Sequence, residues 1–279
     1  MAKADCHGRV QEHSCGRGLS ADAPVGVFDS GVGGLSVLRA LRAALPGEDF
    51  VYLADNAHAP YGERGNAFVV ERSLAVAQQL RDTHGIKALV VACNTATAAA
   101  IEQLRDAHPA LVLVGVEPAL KPAAALTHTG HVGVMATRGT LGSSKFGGLH
   151  ASFAGQATFV LQPCDGLAEA IEHADAGKIG KLCSEYITAM GGFGTQAGQI
   201  DTLVLGCTHY PFAADVLRDL VGPDVQLVET GEPVARQTQR LLAAAGHLTP
   251  RAQGRLTLLG TGPTHTLQAA AARWLAAQA

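Results

Sequence analysis

Two cysteines stand out for where they sit. Ala88-Leu89-Val90-Val91-Ala92-Cys93-Asn94-Thr95-Ala96-Thr97 is a run of small apolar and β-branched residues that ends in a thiol, and Thr202-Leu203-Val204-Leu205-Gly206-Cys207-Thr208-His209-Tyr210-Pro211 repeats the pattern. Each reads as a buried strand stopping at a cysteine, followed by hydroxyl, amide or imidazole groups and the opening of a helix. One cysteine in such a place is commonly a small buried hydrophobe; its recurrence points to chemistry. Brought face to face, two thiols can serve as paired bases on one small molecule. One removes a proton from a stereocentre while the conjugate acid of the other delivers a proton to the opposite face. A thiol with a pKa of about 8.5 must first be lowered toward the thiolate, and a following helix N-terminus with a nearby imidazole is expected to do this. His209, two residues after Cys207, is placed to assist.

Thiols so arranged need a frame of strands. Val25-Gly26-Val27-Phe28 reads as a short strand running into Asp29-Ser30-Gly31-Val32-Gly33-Gly34, after which Leu35, Leu38, Leu41 and Leu45 keep a helical period as far as Pro46-Gly47. A glycine-rich turn between strand and helix often cradles phosphate. Here Asp29 would place a carboxylate where phosphate should sit, and neither usual nucleotide spacing is met. Asp29 with Ser30 suits an ammonium group and a polar neighbour, or a helix cap. Phe50 to Ala54 is the next strand, leading to the loop Asp55-Asn56-Ala57-His58-Ala59-Pro60-Tyr61-Gly62. Pro60-Tyr61-Gly62 is either a plain turn or a rigid lip offering backbone N–H groups to a carboxylate. An amphipathic helix is expected from about 66 to 83, and Leu111 to Val116 is another strand, closed by Glu117-Pro118. Strands alternating with helices at this pitch mean parallel α/β, with ligands beyond the carboxyl ends of the strands. Asp29, Ser30, Cys93, Asn94, Thr95, Thr137, Cys207, Thr208 and His209 all fall at such ends.

From His131 the chain starts again. Val132 to Thr137 lines up with Val25 to Ser30 at an offset of 107 (132 minus 25), and Phe159-Val160-Leu161 falls on Tyr52-Leu53-Ala54 at the same offset. The two cysteines differ by 114 (207 minus 93), which leaves room for a short insertion such as Gly191-Gly192-Phe193-Gly194. This is the signature of a duplication. Asp29 has become Ala136 and Ser30 has become Thr137, so the halves share a frame and differ in chemistry. The expected fold is α/β, two pseudo-symmetric lobes, each a mainly parallel sheet flanked by helices, with the site in the cleft between them. The expected division is a disordered tail over 1–23, a first lobe of 24–117 plus 229–279, and a second lobe of 118–228.

Composition narrows the function further. The chain has 279 residues, 47% hydrophobic and 16% charged, enough to bury two cores. A net charge of −3 leaves no basic excess to neutralise phosphates, so no nucleic-acid partner is expected. Residues 1–23 lack the apolar core of a secretory signal, and no apolar run approaches the ~18 residues of a membrane span. A cytoplasmic protein with reduced thiols is expected, with no membrane partner. Cys6-His7 and His13-x-Cys15 match no usual zinc spacing, so no metal is expected.

Together, Phe28-Asp29-Ser30-Gly31-Val32-Gly33-Gly34, Pro60-Tyr61-Gly62, Cys93-Asn94-Thr95-Ala96 and Gly206-Cys207-Thr208-His209-Tyr210-Pro211 resemble the glutamate racemases, in that order, over a similarity running from about Val25 to Trp274. The resemblance implies a cofactor-independent racemase that interconverts L-glutamate and D-glutamate, supplying the latter to bacterial peptidoglycan. It implies Cys93 as the base acting on D-glutamate and Cys207 as the base acting on L-glutamate. Asp29 and His209 would assist their nearer cysteines, and Glu172 resembles the family's supporting acid, although Cys164-Asp165 stands where the family usually has Cys-Pro. Ser30, Pro60, Tyr61, Gly62, Asn94, Thr95, Thr137, Thr140 and Thr208, with Asp29 and His209, would hold the substrate; Thr137-x-x-Thr140 reads equally as a helix cap. The family also allows a homodimer. A pyridoxal phosphate enzyme would need a Schiff-base lysine, and Lys87, Lys121 and Lys145 sit in no pocket motif. Two alternatives stay open: an aspartate racemase of the same family, and a non-catalytic amino-acid-binding protein, which would need no paired thiols.

Overall fold

Short runs of Val, Leu, Phe and Ala bounded by glycine, proline and polar residues become strands, and the longer 3.6-period runs between them become helices. The computed structural model describes residues 20–275. Cys6, His7, His13 and Cys15 lie outside these residues, as does the expected tail through position 19. Residues 20–23 form a turn in which Ala23 N–H donates to the Ser20 carbonyl (3.0 Å). In chain order come β1 (Val25–Asp29), α1 (Leu35–Ala44), β2 (Phe50–Ala54), α2 (Asn66–His84), β3 (Ala88–Val91), α3 (Asn94–Ala107) and β4 (Val112–Gly115). There follow α4 (Leu120–Leu126), β5 (His131–Ala136), α5 (Arg138–Leu141), α6 (Ser144–Ala151), β6 (Thr158–Pro163), α7 (Leu167–Glu172), α8 (Ala176–Met190), β7 (Thr202–Leu205), α9 (Ala214–Val221) and β8 (Gln226–Val228). The chain closes with α10 (Gly231–Ala244), β9 (Leu256–Gly260) and α11 (Thr264–Leu275).

The strands form two all-parallel sheets, ordered β4-β3-β1-β2-β9 and β6-β5-β7-β8. Read from the other side, the second is β8-β7-β5-β6, the order of the first without β9. Register carries the repeat to single residues. Val27 pairs with Val90 and Val90 with Val114 in the first sheet; Val134 pairs with Val204 and Val204 with Val228 in the second. The offsets are 107 between β1 and β5 (134 minus 27) and 114 between β3 and β7 (204 minus 90). β2 and β6 differ from expectation. Val27 faces Tyr52 and Val134 faces Leu161, an offset of 109 (161 minus 52) rather than 107. A slip of two residues keeps every side chain on its own face, because the strand period is two. That is why the hydrophobic pattern alone did not reveal it.

Each sheet carries helices on both faces, so its central strands are largely apolar. In the first, Val25, Val27, Tyr52 and Val90 pack toward α1 and α10, while Phe28, Leu53, Leu89 and Val91 pack toward α2 and α3. The second is flanked likewise, with Met135, Leu203 and Leu205 on one face and Val132, Val134 and Val204 on the other. Helix α2 ends at Gly85 with φ 58°, a left-handed cap that glycine adopts without a Cβ penalty. No helix among the described residues is long and apolar enough to cross a membrane.

Away from the carboxyl ends of the strands, Lys87 is fully buried and its Nζ lies 2.5 Å from Glu48 Oε2 and 2.5 Å from the Ala21 carbonyl. Glu48 Oε1 in turn accepts Thr249 N–H (2.9 Å), so one ion pair ties residue 21, the α1–β2 turn and the segment leading to β9. Removing one partner of a buried pair strands the other charge. Lys87→Met is therefore expected to cost about 3–5 kcal/mol in urea denaturation, and adding Glu48→Gln to recover most of it. Equal destabilisation by the single and double variants would contradict this reading.

Candidate active site

Cys93 follows β3 and caps α3, its Sγ accepting the N–H of Ala96 (3.4 Å) in the position usually held by Ser or Asp. The thiol is buried and lies 3.8 Å from Ser30 Oγ. A helix N-terminus is expected to bring such a thiol toward the thiolate. Instead its pKa is pushed up to about 12, first by burial and then by the charge of Asp29, against which the Ala96 N–H acts too weakly. In this closed arrangement Cys93 holds its proton.

Asp29 ends β1 with no exposed surface. Its Oδ1 accepts Gly31 N–H (2.7 Å) and its Oδ2 accepts the hydroxyl of Thr208 (3.1 Å), which comes from the other lobe. Burial raises its pKa to about 6, with the charge of His209 and the Gly31 N–H acting the other way.

The second thiol has an imidazole beside it. Cys207 Sγ lies 3.7 Å from His209 Nδ1, and His209 Nε2 lies 2.7 Å from Glu172 Oε2. Glu172, the last residue of α7, also accepts the N–H of Val32 from the first lobe at 3.0 and 3.1 Å. Burial alone would lower the pKa of His209, but the hydrogen bonds and charges of Cys207 and Glu172 outweigh it and hold the pKa well above 6.5. Glu172 moves oppositely: burial would raise its pKa, and His209 with Val32 N–H brings it below the ordinary value. The glycine-rich turn is now explained. A Cβ at Gly31 would sit 2.4 Å from Glu172 Oε2, and one at Gly33 would sit 2.3 Å from His209 Nδ1. These glycines admit side chains of the opposite lobe rather than phosphate.

The remaining candidate residues gather around Thr137, whose hydroxyl is 3.1 Å from that of Thr95 and 2.9 Å from that of Thr140. Thr137 also caps α5, accepting Thr140 N–H (3.2 Å), so it is both cap and cleft residue. Gly62 packs against it so closely that a Cβ would approach Thr137 Cγ2 to 2.9 Å. Asn94 is buried with both side-chain polar atoms unpartnered among the described residues, as a group awaiting a ligand would be. Ser30, Pro60, Glu172 and His209 line a cavity of about 130 Å³ that also reaches Asn56. Tyr61 differs from the expectation in one respect: its hydroxyl is turned onto Asp55 (2.5 Å), so only its backbone is left for a ligand. Ser36, Tyr52 and Asp55 escaped sequence reasoning. The Ser36 hydroxyl donates to the Thr208 carbonyl across the lobes (2.8 Å), and the Tyr52 hydroxyl donates to the Gly31 carbonyl (2.7 Å). A tyrosine inside an otherwise apolar strand was the available signal for the latter.

Paired thiols at equivalent strand ends, each with its own acid or base, narrow the kinship. A family model described as Asp/Glu/hydantoin racemase matches residues 25–238. The chain belongs to that family. It is 50% identical over 229 residues to a glutamate racemase of Pseudomonas syringae pv. tomato, covering 81% of each chain. Among solved structures, a glutamate racemase of Bacillus anthracis superposes with a TM-score of 0.81 at 30% identity, covering 91% of this chain and 94% of that one. The Escherichia coli glutamate racemase, in complex with L-glutamate and the activator UDP-MurNAc-ala, superposes with a TM-score of 0.75 at 34% identity over 90% and 95% of the two chains. The two solved structures share the fold of this chain.

The buried Asp29 carboxyl has a stability consequence of definite sign. Its folded pKa of about 6 exceeds the ordinary 3.8, so the folded state binds this proton more tightly. The cost of ionising it is absent below about pH 3.8, grows through the interval and is complete above about 6. Asp29→Asn removes that cost, and the variant is expected to be more stable at pH 8 by on the order of 3 kcal/mol, with the difference vanishing near pH 4. Urea denaturation at the two pH values checks this; a difference independent of pH would contradict it.

Proposed function

We propose that this chain is a cytosolic glutamate racemase that inverts Cα of glutamate with two cysteines and no cofactor. It would work on two lobes divided as 24–117 with 229–279, and 118–228. The observation that carries the reading is the unlike setting of two equivalent thiols. Cys93 is held protonated beside a carboxylate, and Cys207 stands 3.7 Å from an imidazole held in its charged form. An imidazolium favours a thiolate next to it. In this reading Cys207 takes the Cα proton of L-glutamate while Cys93 gives its own to the opposite face.

After that step Cys93 is the thiolate and Cys207 the thiol, which is the form that acts on D-glutamate. Starting from D-glutamate, Asp29, with a pKa near 6, can take the proton of Cys93 while the His209 imidazolium, held by Glu172, passes one to Cys207, which gives the same form. An amino-acid Cα–H is only weakly acidic, so its carbanion needs help. Hydrogen-bond donors around the α-carboxylate supply it as charge moves onto that group, and the unpartnered Asn94 amide with the Thr95 and Thr137 hydroxyls suit this task. Four free, buried cysteines among the described residues fit a reducing compartment. The MurNAc-bearing activator of the E. coli relative supports a role for D-glutamate in peptidoglycan supply.

Initial rates of optical-activity loss on each enantiomer, without added cofactor, test the assignment. Cys93→Ala and Cys207→Ala are each expected to lower racemisation by roughly 10²–10⁴-fold. Glutamate is expected to exceed aspartate in kcat/KM by at least ~10-fold, since aspartate places its second carboxylate one methylene short. Preferential turnover of aspartate would move the assignment within the family. Glutamate binding without Cα exchange would favour the binding-protein alternative.

A further inference from the structure

Asp55, one residue beyond β2, touches neither thiol, yet it is the most heavily bonded carboxylate described. Its side chain is wholly buried, and its Oδ2 accepts the Tyr61 hydroxyl (2.5 Å) and Arg72 Nε (3.0 Å). Oδ1 accepts Arg72 Nη2 (2.9 Å) and the hydroxyl of Thr261 (2.8 Å), and lies 3.0 Å from His58 Nδ1. A carboxylate has about four acceptor sites, so Asp55 is saturated. Burial would raise its pKa, but Arg72, Tyr61 and Thr261 hold it down at about 2.

These donors share one feature: they belong to the loop from Asp55 to Gly62 or to the elements that brace it. Tyr61 and His58 lie in the loop, Arg72 comes from α2, and Thr261 follows β9. Asn56 adds a second tie, accepting Gly262 N–H (2.8 Å) and donating to the Pro263 carbonyl (3.2 Å). The Tyr61 ring is fixed edge-on against Phe28 and Phe68, each with centroids 6.2 Å away. With ring and hydroxyl both held, the backbone at Tyr61 and Gly62 has one place to be, and that place is against Thr137 of the second lobe.

We propose that Asp55, with Arg72 as its counter-charge, is a positioning residue for the reaction, closing the 55–62 loop through Tyr61 so that the Pro60-Tyr61-Gly62 lip meets the substrate in a preformed position. This rests on the racemase reading above. The lip would bind the substrate equally before and during proton transfer, so its loss should appear in KM rather than kcat.

The test measures KM and kcat for both glutamate enantiomers, and the Kd for D-glutamate by calorimetry, in the wild type, Asp55→Asn, Tyr61→Phe and the double variant. Asp55→Asn is expected to raise KM and Kd at least ~10-fold with kcat within about 3-fold. Tyr61→Phe should raise KM by less, since Asp55 keeps its other ties to the loop, and the double variant should be no worse than Asp55→Asn, because the Tyr61 hydroxyl contributes only through its bond to Asp55. A purely structural role would lower Tm and leave KM of the folded protein unchanged, and that result overturns the proposal. If Asp55→Asn fails to fold, Tyr61→Phe decides alone, since it keeps the ring and the Asp55–Arg72 pair; an unchanged KM overturns the proposal there too. A wild type that binds glutamate without turning it over would sink the racemase reading, and Kd would still report on the lip. A wild type that does neither would sink both.

Discussion

The carboxylate of Glu172 is shared between the two lobes. It accepts a backbone N–H from Val32 on one side and holds the imidazole of His209 on the other, and much of the site follows from that double engagement. The bond to His209 keeps the ring charged and aligned with Cys207, while the bond to Val32 ties the first lobe to the same carboxylate. Closure also excludes water, which is what raises Asp29 and Cys93 so far. The glycines at 31 and 33 are the condition for this approach, because any side chain there would occupy the space of Glu172 or His209. The contacts that hold His209 between the lobes thus go together with the burial of Asp29 and Cys93.

Duplication supplies the frame, and divergence supplies the direction of the chemistry. With the observed registers, Asp29 corresponds to Ala136 and Cys93 to Cys207, while Asp55 corresponds to Cys164 (55 plus 109). The first lobe therefore carries a buried carboxylate near its thiol and a second one bracing a loop. The second lobe has an apolar residue and a buried thiol in those places, and borrows its acid from α7. Two identical halves would surround the two thiols alike. The unlike partners break that symmetry while leaving the strands that aim the thiols unchanged.

Strand-ending cysteines, the run of elements and the repeat were legible in the sequence because each is a local pattern: period two, period 3.6, or a fixed offset. What stayed hidden depends on contacts between distant residues. The helix N-terminus at Cys93 is where the sequence places it, but burial and Asp29 outweigh it, and neither can be weighed without the closed cleft. Asp55 reads as an ordinary turn residue until Arg72 and Thr261 arrive from 17 and 206 positions away. Tyr61 was marked through the lip motif, yet the direction of its hydroxyl is set by that same distant network. The two-residue slip of β6 left no trace because it preserves alternation.

Inversion by two thiols requires proton transfer on opposite faces by two separate groups. The most direct test is to follow deuterium at Cα from the first few per cent of conversion in D2O, starting from each enantiomer in turn. The product enantiomer should carry deuterium while the remaining substrate keeps protium, whichever enantiomer is supplied. Deuterium entering residual substrate as fast as product, or protium carried across into product, would mean that one group serves both faces, and the two-thiol account would be wrong.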